Sequence, residues 1–170
     1  MTGCPKQSKT VSILIRGSNQ LVLEEAERSL HDAICVLVSA TKNHKTLYGG
    51  GNAEMRMSLA VDDLAKTMSG KGALAAEAFA RALRALPTII CENGGYDSAE
   101  IVTNLRAEIS NGNTTAGINM FGGRIGDMKD MGVTECYRVK EQAMISATEA
   151  AEMILRVDDI VRCAPRKREG

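Results

Sequence analysis

From Gln20 to Ala40 the apolar residues fall at Leu23, Ala26, Leu30, Ala33, Ile34 and Leu37. That spacing gathers them on one face of an α-helix and would scatter them over both faces of a strand. The rhythm returns at Met55, Leu59, Ala60, Leu64 and Met68, in the Ala-rich "ALAAEAFARALRAL", at Ile101, Val102, Leu105 and Ile109, and at Val139, Ala143, Ala147, Ala150, Ile154 and Val157. With two Phe, three Tyr, no Trp and nine Met, the side chains also suit helix packing better than sheet packing. The expectation is a mainly α fold with a small β component.

The breaks in the rhythm predict the joints. The β-branched stretch Thr10–Ile15, "TVSILI", reads as a short strand ended by Arg16 and Gly17. Gly49, Gly50 and Gly51 precede Asn52, a candidate N-cap for the second helix. Residues 69–72 interrupt that helix, and Pro87 is expected to stop the Ala-rich helix and open a short new one. Gly94 and Gly95 end that piece, Asp97 with Glu100 resembles a capping box, and "NGN" closes the helix that follows. Gly122 and Gly123, between short apolar stretches of residues 114–128, predict a small β-hairpin. One long helix is expected from Gly132 to about Val161.

Charge and composition exclude several classes. Net charge is zero with 25% charged residues, so nothing electrostatic favours a nucleic acid or a membrane surface. The end run Arg166, Lys167, Arg168 is short for a binding patch. No apolar run approaches the eighteen or so residues of a membrane span. The five cysteines, Cys4, Cys35, Cys91, Cys136 and Cys163, contain no C-x-x-C pair and suggest neither a disulfide framework nor a zinc site, so a reducing cytosol is the simple expectation.

Few residues offer chemistry when taken singly. The glycine triplet lets backbone approach a flat or charged ligand, and the following helix start supplies unpaired N–H groups; "GGGNAE" matches neither common phosphate-binding pattern, and a flexible turn fits it equally. Asp32 lies about 150° from the centre of its helix's apolar stripe, so its carboxylate is available to something else or simply solvated. Glu135 falls in the first turn of the expected long helix, where a carboxylate also complements the dipole. Lys140 sits about 60° off that helix's stripe, as a snorkelling lysine would. His31 and His44 have no ligand partner at metal spacing.

Together the blocks carry a resemblance. "LIRGSNQLVLEEAERSLHDAICVL", "YGGGNAEM", "ALRALPTIICENGGYDSAEIV", "GNTTAGINM", "IGDMKDMGVTE" and "EAAEMILRVDDIV", in this order, closely resemble the C-terminal part of the group II chaperonins, among them the eukaryotic cytosolic chaperonin TRiC/CCT. The resemblance implies an ATP-driven folding machine: a double ring of chaperonin subunits that takes unfolded clients such as actin and tubulin. Residues 1–15 would end the apical region with a short strand, 16–47 would be an intermediate-domain helix, and 48–170 would be the C-terminal part of the equatorial, nucleotide-binding domain. Asp32 matches the family's catalytic aspartate. Gly49, Gly50 and Gly51 match its glycine triplet against the nucleotide, Glu135 the acid on the ribose hydroxyls, and Lys140 another pocket residue, with Ile118 and Asn119 close to the adenine. The family's Gly-Asp-Gly-Thr-Thr loop for phosphate and Mg2+ has no counterpart here; "GNTTAG" belongs to another block. ATP with Mg2+ is therefore expected in the full-length protein, with the magnesium ligand outside this chain and the chain alone inactive. The rival expectation is a free-standing helical module that binds chaperonin subunits without catalysis.

Overall fold

The computed structural model of the protein describes residues 11–162. The element order is α1 (Gln20–Lys42), β1 (Thr46–Tyr48), α2 (Asn52–Thr67), α3 (Lys71–Asn93), α4 (Ser98–Ser110), β2 (Ala116–Asn119), β3 (Arg124–Asp127), β4 (Thr134–Cys136) and α5 (Tyr137–Leu155). It is a mainly helical chain with two small antiparallel sheets. The chain forms two compact units that divide between Lys45 and Thr46.

The first unit is built around α1. Asn19 caps it, its side-chain oxygen accepting the Val22 N–H at 2.9 Å. Leu23, Ala26 and Leu30 of the expected stripe are half-buried, while Ala33, Ile34 and Leu37 are exposed. Residues 11–15 do not form the expected strand. Ser12 alone carries an isolated bridge, because β-branched residues favour a ladder only where a neighbouring strand offers one, and no described strand does. Thr10 and the basic run 166–168, like Cys4 and Cys163, lie outside the described residues.

In the second unit α2 packs most extensively on α3, and α4 packs on both and on the hairpin β2–β3. Met55, Cys91, Ile101, Leu105, Ala116 and Ile118 form the core where these elements meet. A polar hub ties the three helices: Asp62 Oδ2 accepts Arg84 at 2.7 Å and Arg106 at 3.2 Å. The hairpin has the expected form, pairing Ala116 with Asp127 through Asn119 with Arg124, and Gly123 turns at φ 58°. The second sheet, β1 with β4, pairs Thr46 with Cys136 and Tyr48 with Thr134. Nothing in the local pattern announced it.

Several local expectations are corrected. Asn52 is the first helical residue and not the cap: its buried side chain donates to the carbonyls of Thr114, at 3.1 Å, and Ala116, at 2.6 Å. The stripe that α2 buries is accordingly Met55, Ser58 and Ala65, with Leu64 and Met68 exposed. Pro87 neither ends nor begins a helix; α3 runs through it to Asn93. The lost N–H forfeits one intrahelical bond, and the buried ring fills the space beside Gly51, where a Cβ would stand 2.8 Å from Pro87 Cβ. The long helix begins only at Tyr137, because residues 134–136 are drawn into pairing with β1. Its expected stripe is not buried, with Val139 and Ile154 exposed; the half-buried side is Tyr137, Lys140, Glu141 and Met144. Periodicity identifies an apolar side of a helix, not whether anything covers it.

Between β1 and α2 the glycine triplet makes a closely packed turn. Gly50 and Gly51 hold φ of 64° and 75°, in the left-handed region that glycine alone enters freely. The Gly50 carbonyl accepts the Ile118 N–H at 2.9 Å, and Gly49 N–H donates to Val133 at 3.1 Å. A Cβ on Gly50 would lie 2.7 Å from Met128 Sδ and 2.9 Å from Ile118 N.

Two predictions follow from this packing. Gly50→Ala combines a left-handed backbone with a steric overlap and should lower the unfolding free energy by at least about 1–2 kcal/mol, whereas Leu105→Ala, a cavity in the centre of the core, should cost about 2–5 kcal/mol; urea unfolding of the two variants checks both, and unchanged midpoints would contradict the packing described. Asp127 supplies the second. Its carboxylate accepts Thr115 Oγ1 at 2.6 Å and the N–H groups of Lys129, at 2.8 Å, and Asp130, at 3.3 Å. The Thr115 hydroxyl, aided by these amides and the Lys129 charge, holds its pKa below the usual carboxylate value. A depressed pKa contributes stability above the unfolded value of 3.8 that is lost as pH falls through the folded one. Asp127→Asn should therefore be less stable than wild type at neutral pH, with the difference closing in acid below about pH 4.

Candidate functional site

Asp32 lies midway along α1 and is exposed. Among the described residues it has no ion-pair partner, so nothing there locks its carboxylate. Its helix neighbours His31 and Cys35 approach each other, Nε2 to Sγ, at 3.5 Å.

The other expected site residues belong to the second unit, and several converge there from distant stretches of chain. Gly49 and Gly51 are buried and Gly50 half-buried. A Cβ on Gly49 would meet Val133 Cγ1 at 2.9 Å and Glu135 Oε1 at 3.2 Å, and one on Gly51 would lie 3.7 Å from Ile118 Cδ1 as well as against Pro87. Glu135 therefore stands over the start of the glycine turn. It occupies β4 and not the first turn of a helix, as its sequence position suggested; the β1 pairing, opposite Leu47, is what aims it there. Ile118, 3% exposed, is part of the core, and its N–H is taken by Gly50. Asn119 is half-buried, its Oδ1 accepting the Phe121 N–H at 2.9 Å and so shaping the hairpin tip.

Lys140, one turn into α5, reaches back to the same place. Its Nζ lies 2.7 Å from Glu135 Oε2, a charge contact without hydrogen-bond geometry, and it donates to Glu54 Oε1. Burial works to lower the pKa of this ammonium, but its close contacts with the Glu135 and Glu54 carboxylates and their charges outweigh that and leave it raised. The lysine is thus charged throughout the neutral range. With Oε2 turned inward to the ammonium, Oε1 beside Gly49 is the oxygen left to an incoming donor.

Glu54 was missed by sequence reasoning. A glutamate in the third position of a helix is ordinarily an exposed charge that favours the dipole, and here its side chain is 5% exposed. Only its exact offset from the glycine triplet could have drawn notice, because its partner is 86 residues away. Cys91 is buried, and burial with the nearby Glu92 charge pushes its thiol pKa up, so it is no nucleophile. Among the described residues no three His, Cys, Asp or Glu side chains assemble a metal site, and those present do not by themselves fit a magnesium ion. No described helix is long and apolar enough to cross a membrane.

The second unit can therefore offer an oriented carboxylate, an ammonium of fixed charge and a close-packed glycine turn. Residues 1–165 match the family model described as the TCP-1/cpn60 chaperonin family. The chain is 57% identical over 157 residues to T-complex protein 1 subunit beta of Homo sapiens, covering 92% of this chain and 29% of that one. With the subunit of the same name from Arabidopsis thaliana it shares 51% over 168 residues, covering 99% and 32%. The chain thus spans about three tenths of the length of these relatives. A group II chaperonin from Methanococcoides burtonii, solved as an open-state monomer, superposes with a TM-score of 0.72 at 36% identity, over 89% of this chain and 38% of that one. The matched motifs, the fold and the family model agree, and the chain belongs to the TCP-1/cpn60 chaperonin family.

Proposed function

We propose that this chain is the hinge and nucleotide-contacting portion of an ATP-dependent chaperonin subunit, similar to the beta subunit of cytosolic TRiC/CCT. The observation that supports the reading most is the convergence of Gly49 with Glu135 and Lys140, which lie far along the chain from the glycine turn. In this reading residues 1–15 close the apical region, 16–47 form the intermediate-domain helix, and 48–170 belong to the equatorial domain. Glu135 accepts from the ribose hydroxyls, Lys140 fixes that carboxylate and the local charge, Gly49–Gly51 press against the nucleotide, and Ile118 and Asn119 lie near the adenine. The whole subunit works in the cytosol within a double ring of chaperonin subunits and acts on unfolded clients such as actin and tubulin. Magnesium and the phosphate loop are supplied by parts of the subunit other than these 170 residues.

Asp32 is the proposed general base. Its carboxylate, borne on a helix of the other unit, orients a water and takes its proton as the water oxygen bonds to the terminal phosphorus and ADP departs. The exposure of Asp32, with no ion-pair partner among the described residues, supports this role.

The reading predicts a division of labour that steady-state ATPase assays on the full-length subunit in its assembled ring can test. Asp32→Ala should lower kcat by about 10²-fold or more while nucleotide binding, measured by equilibrium titration, stays near wild type. Unchanged turnover would remove Asp32 from the chemistry. Loss of binding with no separate loss of turnover would turn it into a pocket residue.

A further inference from the structure

We infer that Glu54 is a positioning residue for ribose recognition, acting through Lys140 on Glu135; this rests on the reading of Glu135 as the ribose acceptor. Glu54 opens α2 immediately after the glycine turn, and its side chain is almost completely enclosed. Enclosing a carboxylate is costly unless it is paired, and its partner is the Lys140 ammonium from α5. The same ammonium contacts Glu135. Two carboxylates on one cation are more than charge neutrality asks for, so the arrangement has a use besides cancelling charge.

Lysine carries its charge on a flexible four-carbon stem with freely rotating donors, which makes it a poor positioning element unless something fixes its far end. Glu54 does so from a rigid base. Its helix start is held by Asn52, whose amide donates to the Thr114 and Ala116 carbonyls, and by Gly49, whose carbonyl accepts the Asn52 N–H at 3.2 Å. Pinned there, Nζ draws Glu135 Oε2 inward and leaves Oε1 in one orientation beside Gly49. A carboxylate that must meet hydroxyls at a set angle depends on such outer support. If Glu54 were only a stabilising charge, its loss would weaken folding without altering which sugar is preferred.

The test compares ATP with 2′-deoxy-ATP on the full-length subunit in its assembled ring, reading the ratio of apparent affinities and kcat for wild type, Glu135→Gln, Glu54→Gln and Glu54→Asp. Wild type should favour ATP by about tenfold, the worth of one hydrogen bond to a charged group, and Glu135→Gln should bring the ratio near one. Glu54→Gln should erode it several-fold with kcat little changed. Glu54→Asp keeps the buried charge and the fold while withdrawing the anchor by one methylene, so it should give an intermediate ratio and decides the matter if the glutamine variant does not assemble. A wild-type ratio in the Glu54 variants together with a lost ratio in Glu135→Gln would overturn the inference and leave the ribose reading standing. A ratio unmoved by Glu135→Gln would remove that reading, and the positioning role with it.

Discussion

The close approach of the glycine turn to β2 is the constraint on which the second unit depends. Backbone meets backbone there, Gly50 carbonyl to Ile118 amide at 2.9 Å, with Met128 and Pro87 filling the places where side chains would otherwise project. Such contact is possible only without Cβ atoms and with a left-handed backbone, so the triplet is required by packing before any ligand is considered. The consequences spread outward. The turn sets the start of α2, Asn52 ties that start to β2, and the core of Met55, Leu105 and Ile118 closes behind it.

Electrostatics complete what the turn begins. The Glu54–Lys140–Glu135 group joins α2, α5 and β4, while Asp62 joins α2, α3 and α4 through Arg84 and Arg106. The two hubs differ in kind. At Asp62 one carboxylate serves two guanidiniums, and at Lys140 one ammonium serves two carboxylates, which leaves acceptor capacity where the glycine turn begins. Partly enclosed pairs of this sort contribute little net stability against apolar replacements but are costly to break singly. Their value lies in fixing orientation.

The apolar surfaces left open are as informative as those that close. The helix α5 exposes Val139, Ile145 and Ile154, and α1 exposes Ile34, Val36 and Leu37. A chain that spans about three tenths of its relatives' length belongs to a family whose members carry far more polypeptide, and apolar faces of this extent are the kind that associate with further protein.

How much of this was legible depended on the range of the interaction. The residue sequence by itself determined α1, α4, the β2–β3 hairpin and the family, because helical rhythm, the Asp97 cap and the Gly122–Gly123 turn act within a few positions. It also named Gly49–Gly51, Glu135 and Lys140, through motifs. It misplaced the start of α5, the role of Asn52 and the passage of α3 through Pro87, and it passed over Glu54. Each of those is settled by a partner far along the chain: β1 pairing with residues 134–136, the Thr114 and Ala116 carbonyls facing Asn52, Gly51 making room for a proline ring, and Lys140 reaching Glu54. Local propensity cannot carry such information, since free energies of pairing and burial arise only when distant segments meet. Tertiary structure alone decided that Glu54 holds the Lys140 ammonium and that Glu135 turns one oxygen toward Gly49.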